Sequence, residues 1–281
     1  MAVVISLGGS LINGTGSIDH AFLKEFKEAA LKSGEELGIV TGGGKVAREY
    51  ASAAREFCGN NFVADEAAVA ATRLNAQLML ALFRDIAHPK VFKDFGKAAA
   101  ALGGHKIVVM GGTIPGITTD TDSVLLAEAI GAKRLVNLSN VEGIYDSDPK
   151  ANPSARKFDK MTHAQLVEMA QKFDQRAPGT NFVFDMVACK LAKRSGIELH
   201  FLGGKNLKDL GTAIKGKRHS GTIVSTYRIR MGGYEYPREI RLAPRCKESQ
   251  RKRDGKRMGG LPLPLGAIKG KRHAGTIVGA P

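Results

Sequence analysis

Three glycine-rich turns follow predicted strands, and each has residue types that suit an anion. The turns are LGGSL (7–11), GGGK (42–45) and GGTIPGITTDTD (111–122). Where a strand ends and a helix begins, free backbone N–H groups and the positive end of the helix dipole favour phosphate. Glycine lacks a Cβ, so the backbone can approach a phosphate oxygen closely. Tight packing also selects glycine at a single turn, but three clusters at one sheet edge predict phosphate binding.

Two common phosphate-binding motifs do not fit these turns. A P-loop requires Ser or Thr after its lysine, whereas Lys45 is followed by Val46. The dinucleotide pattern G-x-G-x-x-G does not follow the first strand. We expect Gly43→Val to place a branched side chain where a phosphate binds, weakening nucleotide binding and leaving the fold intact.

Short apolar runs alternate with helical patterns along the first four fifths of the chain. The predicted strands are 3–7, 37–41, 106–110, 133–139, 198–202 and 222–225. The predicted helices are 21–32, 45–57, 65–87, 121–132, 162–172 and 185–195. Apolar strands separated by helices are typical of a mostly parallel sheet with both faces covered. The sequence therefore predicts a three-layer α/β/α sandwich with a mostly parallel central sheet.

The net charge of +15 is concentrated near the C-terminus. Residues 227–281 contain 14 Lys and Arg against 4 Asp and Glu, whereas residues 1–226 contain 28 against 23. We therefore predict one main domain at 1–226 and a basic extension at 227–281. The extension is rich in Arg, Gly and Pro, a composition that favours disorder or loose packing. A nucleic-acid-binding arm is the alternative.

A 13-residue segment occurs twice in the chain. AIKGKRHSGTIVS (213–225) recurs as AIKGKRHAGTIVG (267–279). One extra copy is too little for a repeat architecture. Since both copies contain the same predicted closing strand, we hypothesise that they compete for one edge position of the sheet.

The remaining composition favours a soluble protein of the cytoplasm. No apolar run approaches the roughly 20 residues that a membrane-spanning helix requires, and the apolar start has no basic flank typical of a signal peptide. Cys58, Cys189 and Cys246 are far apart and odd in number, which is typical of a reducing compartment. We assign no metal role to the seven scattered histidines.

An ordered set of motifs resembles the amino acid kinase superfamily, and within it the archaeal-type uridylate (UMP) kinases. The motifs, over about residues 2–225, are LGGSL, TGGGKVARE, ADEAAVAATRLNAQL, MGGTIPGITTDTDS, LSNVEGIYDSDPK and FDMVACKLAKRSGI. The resemblance implies transfer of the ATP γ-phosphoryl to UMP in pyrimidine nucleotide biosynthesis, with Mg²⁺ and a homo-hexamer. It ends before Tyr227, and it implies that residues 1–226 are an amino acid kinase-like catalytic domain.

The resemblance also implies site residues. ATP would contact Gly9, Ser10, Gly44, Arg48, Ser139, Asn140, Tyr145 and Asp148. UMP would contact Gly43, Asp65, Thr113, Ile114, Pro115, Gly116, Ile117, Thr118 and Thr119. Asp185 would be the catalytic carboxylate and the magnesium ligand.

Simpler explanations exist for several of these residues. Asp65 and Asp185 could cap helices, Asp148 before Pro149 could be a turn residue, and Arg48 could be a solvated face residue. Many superfamily members also place a lysine before the first glycine pair, where this chain has Ser6 and Leu7.

Lys45 and Lys190 are candidates for the missing cation. Alternative functions are a kinase with another acceptor, or a nucleotide- or nucleic-acid-binding protein that uses the basic extension.

Overall fold

The computed structural model describes residues 1–14, 16–149, 151–173, 184–204 and 206–226. In this part of the chain the strands are β1 (Ala2–Leu7), β2 (Glu36–Thr41), β3 (Ala87–Phe92), β4 (Ile107–Met110), β5 (Arg134–Ser139), β6 (Lys160–Thr162), β7 (Glu198–Gly203) and β8 (Thr222–Ser225). The helices are α1 (Gly9–Ile12), α2 (His20–Leu31), α3 (Gly44–Cys58), α4 (Asn61–Leu82), α5 (Phe95–Leu102), α6 (Thr119–Ile130), α7 (His163–Phe173), α8 (Met186–Ser195) and α9 (Lys208–Ile214).

The strands form one sheet in the order β3-β4-β2-β1-β5-β7-β8-β6. All neighbouring pairs are parallel except β7 and β8. Leu7 pairs with both Thr41 and Leu138, and Val40 pairs with Met110. The carboxyl ends of β1, β2, β4 and β5 therefore meet at one edge, and the three glycine turns leave the sheet there.

Two apolar clusters lie on opposite faces of the sheet. Residues alternate between the clusters along β1, since Val4 belongs to one cluster while Val3 and Ile5 belong to the other. The first cluster includes residues of α5, α6, α7 and α8, and the second includes residues of α1, α2, α4 and α9. Helices thus cover both faces, and the predicted three-layer α/β/α sandwich is confirmed.

The predicted helix at 65–87 is wrong at both ends. Helix α4 begins at Asn61, because the Asn60 side chain accepts hydrogen bonds from the amides of Phe62 and Val63. It ends at Leu82, and β3 follows from Ala87. Strand β3 lies at the sheet edge and contains Pro89, a residue that edge strands tolerate because they leave one row of N–H groups unpaired. The sequence prediction also missed α1, α5, β6 and α9, which are short.

The first copy of the duplicated segment forms the end of α9, a loop and β8. Strand β8 pairs with β7 on one side and with β6 on the other. The hypothesis that the two copies compete for an edge position is therefore wrong, because β8 lies between two other strands and not at the edge of the sheet. The second copy, and the whole predicted extension at 227–281, lie outside the described residues. The domain boundary at 226 stays a prediction.

Candidate active site

The first two glycine turns pack directly against each other. A Cβ added to Gly9 would lie 2.2 Å from the Gly44 nitrogen and 2.5 Å from the Gly42 oxygen. A Cβ on Gly44, whose φ is +63°, would lie 2.5 Å from the Gly9 carbonyl carbon. Real Cβ atoms do not approach backbone so closely, so contact between the two turns by itself requires glycine at both positions. Packing between the turns is thus one reason for glycine at these positions, in addition to the phosphate binding that the sequence predicted.

The expectation that Gly43→Val leaves the fold intact is wrong. A Cβ at Gly43 would lie 2.2 Å from the Cβ of Ala47 and 3.3 Å from Cγ2 of Thr72. The third turn is equally crowded, since a Cβ at Gly111 would lie 2.8 Å from the Arg73 backbone. Loss of nucleotide binding in a Gly43 variant would therefore not separate a phosphate contact from a packing defect.

The helices that follow the first two turns begin without side-chain caps. Gly8 precedes α1 and Gly43 precedes α3, and neither can offer a side-chain acceptor to the first-turn amides. Five other described helices have such a cap, supplied by Asp19, Asn60, Asp94, Thr118 and Asp185, whereas α9 also begins without one. Helix N-termini with unused amides attract anions. The 15-residue helix α3 therefore directs the positive end of its dipole toward the glycine edge.

Asp65 lies inside α4 and reaches the loop at 113–119. Its Oδ2 accepts a hydrogen bond of 2.9 Å from the backbone amide of Gly116, which has a φ of +81°. Asn60 caps α4, so the alternative that Asp65 caps this helix is wrong. The structure thus brings together Asp65 and the loop that the resemblance assigned to UMP. Ile114 in this loop is 55% exposed and leaves an apolar side chain open to a ligand.

Arg73 on α4 supports the same loop from below. Its Nε donates to the carbonyl of Gly112 (3.0 Å) and its Nη2 to that of Thr113 (2.5 Å). Thr113 in turn donates its amide and hydroxyl to the two oxygens of Asp122. Burial raises the pKa of Asp122 to about 6, although these hydrogen bonds from Thr113 oppose the shift. Sequence reasoning did not select Arg73.

Asp120 is the main candidate residue that sequence reasoning missed. Its Oδ1 accepts hydrogen bonds from the Ser6 hydroxyl and from Asn137 Nδ2, both at 3.1 Å. Burial, and then the nearby negative charge of Asp185, raise the pKa of Asp120 to about 7. Two carboxyl groups therefore share one electrostatic environment at the start of α6.

Two polar residues inside apolar strands could have indicated this site. Ser6 interrupts VVISL and Asn137 interrupts RLVNLS, and the two pair across β1 and β5. Both are buried, at 4% exposure. Oδ1 of Asn137 is the buried side-chain atom without a hydrogen-bond partner among the described residues. A buried polar group in this state is costly, and native structures usually provide it with a partner, an ion or a water.

Asp185 caps α8 and also contacts the start of α6. Its Oδ1 accepts hydrogen bonds from the amides of Val187 (2.8 Å) and Ala188 (3.0 Å). Its Oδ2 accepts from the hydroxyls of Thr118 and Thr121. The capping explanation is thus confirmed for Asp185, and it does not exclude a second role. The predicted loop residue Thr118 also caps α6 through the Thr121 amide.

The residues assigned to ATP occupy two places. Gly9, Ser10, Gly44 and Arg48 lie on α1 and α3, and Arg48 is exposed. Ser139 ends β5, and its hydroxyl accepts a hydrogen bond from the Val141 amide (3.2 Å).

Asn140, Tyr145 and Asp148 lie in the loop after β5, where Tyr145 forms an isolated antiparallel β-bridge with Lys157.

The two candidate cations are both exposed. Lys45 pairs with Glu49 at 3.4 Å, and Lys190 lies on α8.

A model of the amino acid kinase family matches residues 1–203. The chain belongs to the amino acid kinase family. The uridylate kinase of Thermococcus kodakarensis is 42% identical over 225 residues, which cover 80% of this chain and 99% of that protein. The uridylate kinase of Archaeoglobus fulgidus is 39% identical over 225 residues, covering 80% and 100%.

Solved structures of this family have the same fold. The crystal structure of uridylate kinase from Archaeoglobus fulgidus matches with a TM-score of 0.71 at 38% identity, covering 80% of this chain and all of that one. UMP kinase from Bacillus anthracis, 21% identical, matches with a TM-score of 0.66 over 80% of this chain and 95% of that one, and shows the fold alone. The resemblance drawn from the motifs is confirmed.

Among the described residues, none of the helices combines the length and the apolar character that spanning a bilayer requires.

Proposed function

We propose that this protein is an ATP-dependent uridylate kinase that converts UMP and ATP to UDP and ADP. The observation that carries the proposal is the sheet edge itself. Parallel registers bring the uncapped starts of α1 and α3 next to the loop at 113–119, which Asp65 holds from the other side. Relatives 39–42% identical over nearly their whole length are named uridylate kinases. The product would serve pyrimidine nucleotide synthesis.

The proposed reaction requires positioning more than acid–base chemistry. The UMP phosphate is already an anionic nucleophile, so no general base is needed to create it. Phosphoryl transfer is accelerated mainly by alignment and by neutralising charge on the transferred group. The amides of Gly8 and Gly42 donate to the carbonyls of Leu138 and Leu7 and so anchor the two turns to the sheet. The amides of Gly9, Ser10, Gly43 and Gly44 are held by the mutual packing of the turns, and fixed dipoles of this kind stabilise charge without reorganisation.

We assign the two substrates to the two halves of this edge. ATP would bind Gly9, Ser10, Gly44, Arg48, Ser139, Asn140, Tyr145 and Asp148. UMP would bind Gly43, Asp65 and the loop Thr113, Ile114, Pro115, Gly116, Ile117, Thr118 and Thr119. The hydrogen bond from Gly116 to Asp65 supports this grouping, because one substrate can then contact both at once.

The donor set near α6 fits magnesium. Asp120 and Asp185 offer carboxylates whose mutual repulsion a cation would relieve, and the buried Oδ1 of Asn137 lacks a partner in the described part of the chain. Magnesium prefers hard oxygen ligands and uses only one or two carboxylates, retaining several waters. Asp120 and Asp185 would hold it, and its charge would offset that of the phosphates. Asp185 was the ligand predicted from the sequence, and Asp120 joins it here.

The expected assembly is a homo-hexamer, as the resemblance implies. Helices α3 and α4 offer apolar surface for contacts between copies, since Tyr50, Phe57, Phe62 and Leu74 are 58–84% exposed. Sedimentation velocity over a range of protein concentrations tests this assignment, and a monomer at all concentrations would contradict it.

Coupled detection of ADP release tests the reaction. Purified protein with Mg-ATP should turn over UMP, and CMP and AMP serve as matched acceptors of equal charge. Turnover of another acceptor with none of UMP would leave the kinase family intact and overturn the substrate. ATP binding without any turnover would instead favour a binding protein.

A further inference from the structure

A hydrogen-bonded chain of side chains runs behind β8, away from the residues assigned to substrates. The amide of Gly221 donates to His219 Nδ1 (3.1 Å), and Nε2 of His219 lies 2.7 Å from Nδ1 of His200. Nε2 of His200 lies 2.7 Å from Oε1 of Glu198, which also accepts from Arg134 Nε at 3.3 Å. His200 is fully buried.

The two ends of this chain determine the protons within it. A backbone amide can only donate, so Nδ1 of His219 must be the acceptor and its Nε2 must carry the proton. That proton is donated to Nδ1 of His200, whose Nε2–H is then donated to the Glu198 carboxylate. Both histidines are therefore neutral, each with its proton on Nε2. Burial lowers the pKa of His219 to about 4, in agreement with a neutral ring.

The chain fixes the loop that leads into β8. Arg134 donates to the carbonyl of Ile214 (2.7 Å), and a Cβ at Gly216 would lie 2.2 Å from Nη2 of the same arginine. A Cβ at Gly221 would lie 2.0 Å from the Phe201 carbonyl oxygen, so the loop lies directly against β7. Thr222, the next residue, is fully buried and follows directly from this closely packed glycine.

Thr222 connects this rigid strand start to the loop after β5. Its buried hydroxyl accepts from the Ile144 amide (2.9 Å) and donates to the Phe158 carbonyl (2.5 Å), while the Phe158 amide donates to the Ile144 carbonyl (2.9 Å). A Cβ at Gly143 would lie only 2.7 Å from the same hydroxyl. The Thr222 hydroxyl therefore joins the segment at Ile144 to the segment at Phe158, and the first of these belongs to the loop that contains Asn140, Tyr145 and Asp148.

We propose that Thr222 is a positioning residue that fixes the 140–148 loop for ATP binding. The His219–His200–Glu198 chain in turn holds Thr222 in place. The inference rests on the proposed function only in taking this loop as the ATP side. UMP binds elsewhere on the edge, so the effect is selective. Thr222 contacts no substrate itself.

The test compares Thr222→Ser with Thr222→Val. Valine has nearly the shape of threonine and removes both hydroxyl hydrogen bonds, whereas serine keeps the hydroxyl. Calorimetry with Mg-ATP should show about 5- to 10-fold weaker binding for Thr222→Val, from the loss of one or two hydrogen bonds, and binding close to that of the unmodified protein for Thr222→Ser. The affinity for UMP should change less than about 2-fold, since an undisturbed site loses no hydrogen bond. Thr226→Val, exposed just beyond β8, is the control and should change neither affinity.

His219→Ala keeps the test open if Thr222→Val does not fold. It should weaken ATP binding in the same direction and speed hydrogen exchange at the Ile144 amide. Equal affinity of Thr222→Val and the unmodified protein for ATP, equal losses for ATP and UMP, or a serine variant no better than valine would each overturn the inference. Since ATP binding is measured without an acceptor, absence of UMP turnover would count against the proposed substrate and not against Thr222.

Discussion

Replacing Asp120 with asparagine should make the free protein more stable at pH 8 while slowing phosphoryl transfer. Asparagine has the shape of aspartate, and both hydrogen bonds to this residue go to the single oxygen Oδ1, which the amide retains. The substitution therefore removes a charge and little else. The group in the place of Oδ2 becomes an NH₂ donor beside the Asp185 carboxylate.

The magnitude follows from the pKa. Burial and Asp185 raise the pKa of Asp120 from 3.8 to about 7, and one pH unit corresponds to about 1.4 kcal/mol, so ionisation costs the folded state at most about 4 kcal/mol at pH 8. Because the pKa of Asp120 is higher in the folded protein than in the unfolded chain, the folded protein binds this proton more tightly. The ionised carboxylate therefore destabilises the fold fully above pH 7, and this destabilisation decreases as the pH falls toward 4. For a domain of this size, 1 kcal/mol corresponds to about 2–4 °C, so the difference amounts to at most about 16 °C in melting temperature.

Thermal melts at pH 8 and pH 4.5, without magnesium or nucleotides, measure the effect. Asp120→Asn should melt above the unmodified protein at pH 8, and the difference should shrink to about a quarter of that value at pH 4.5. The lowered pKa of His219 also destabilises the folded protein as the pH falls, because the unfolded chain binds that proton first. This effect is the same in the variant and in the unmodified protein. Asp85→Asn, an exposed carboxyl in the turn before β3, should show no such pH-dependent difference. In the kinase assay Asp120→Asn should lose about 100-fold or more in kcat, the scale of a lost electrostatic contact to the transition state.

Two results would refute this reasoning. Equal melting temperatures at pH 8 would mean that the buried charge costs nothing, and the pair of carboxyl groups would not be electrostatically strained. Full activity of Asp120→Asn would remove this carboxylate from the proposed magnesium site, whatever its effect on stability.

Three further substitutions test other parts of the site. Gly9→Ala should lower stability by about 1–3 kcal/mol through overpacking against Gly44, as seen in a thermal melt, whereas Gly104→Ala, with open space around it, should not. Asp65→Asn should raise KM for UMP about 10-fold, the loss of a charge-assisted hydrogen bond, with KM for ATP unchanged in steady-state kinetics. Asp185→Asn should lower kcat far more than nucleotide affinity, and its retained Oδ1 should keep the cap on α8, so an equal loss in calorimetric affinity would contradict its assignment.

The sequence predicted the sheet well because its strands are short apolar runs. Parallel strands buried on both faces need little polar alternation, so 3–7, 37–41 and 198–202 stand out from their surroundings. Strand β3 did not stand out, because it lies at the edge and its pattern, AHPKVF, is half polar and contains proline. The end of α4 was equally hidden, since its apolar residues continue toward β3.

By itself the sequence determined the order of the six predicted strands and six predicted helices, the edge at which the glycine turns meet, and the motifs that resemble a nucleotide-dependent kinase. These depend on local pattern and on the rule that parallel strands share an end. Tertiary structure alone decided why the glycines are required, since Gly9 and Gly44 are far apart in sequence and their backbones touch only after the sheet forms. It also decided that Asp120 faces Ser6 and Asn137, and that Thr222 reaches Ile144, because hydrogen bonds between distant segments have no signature in a local pattern.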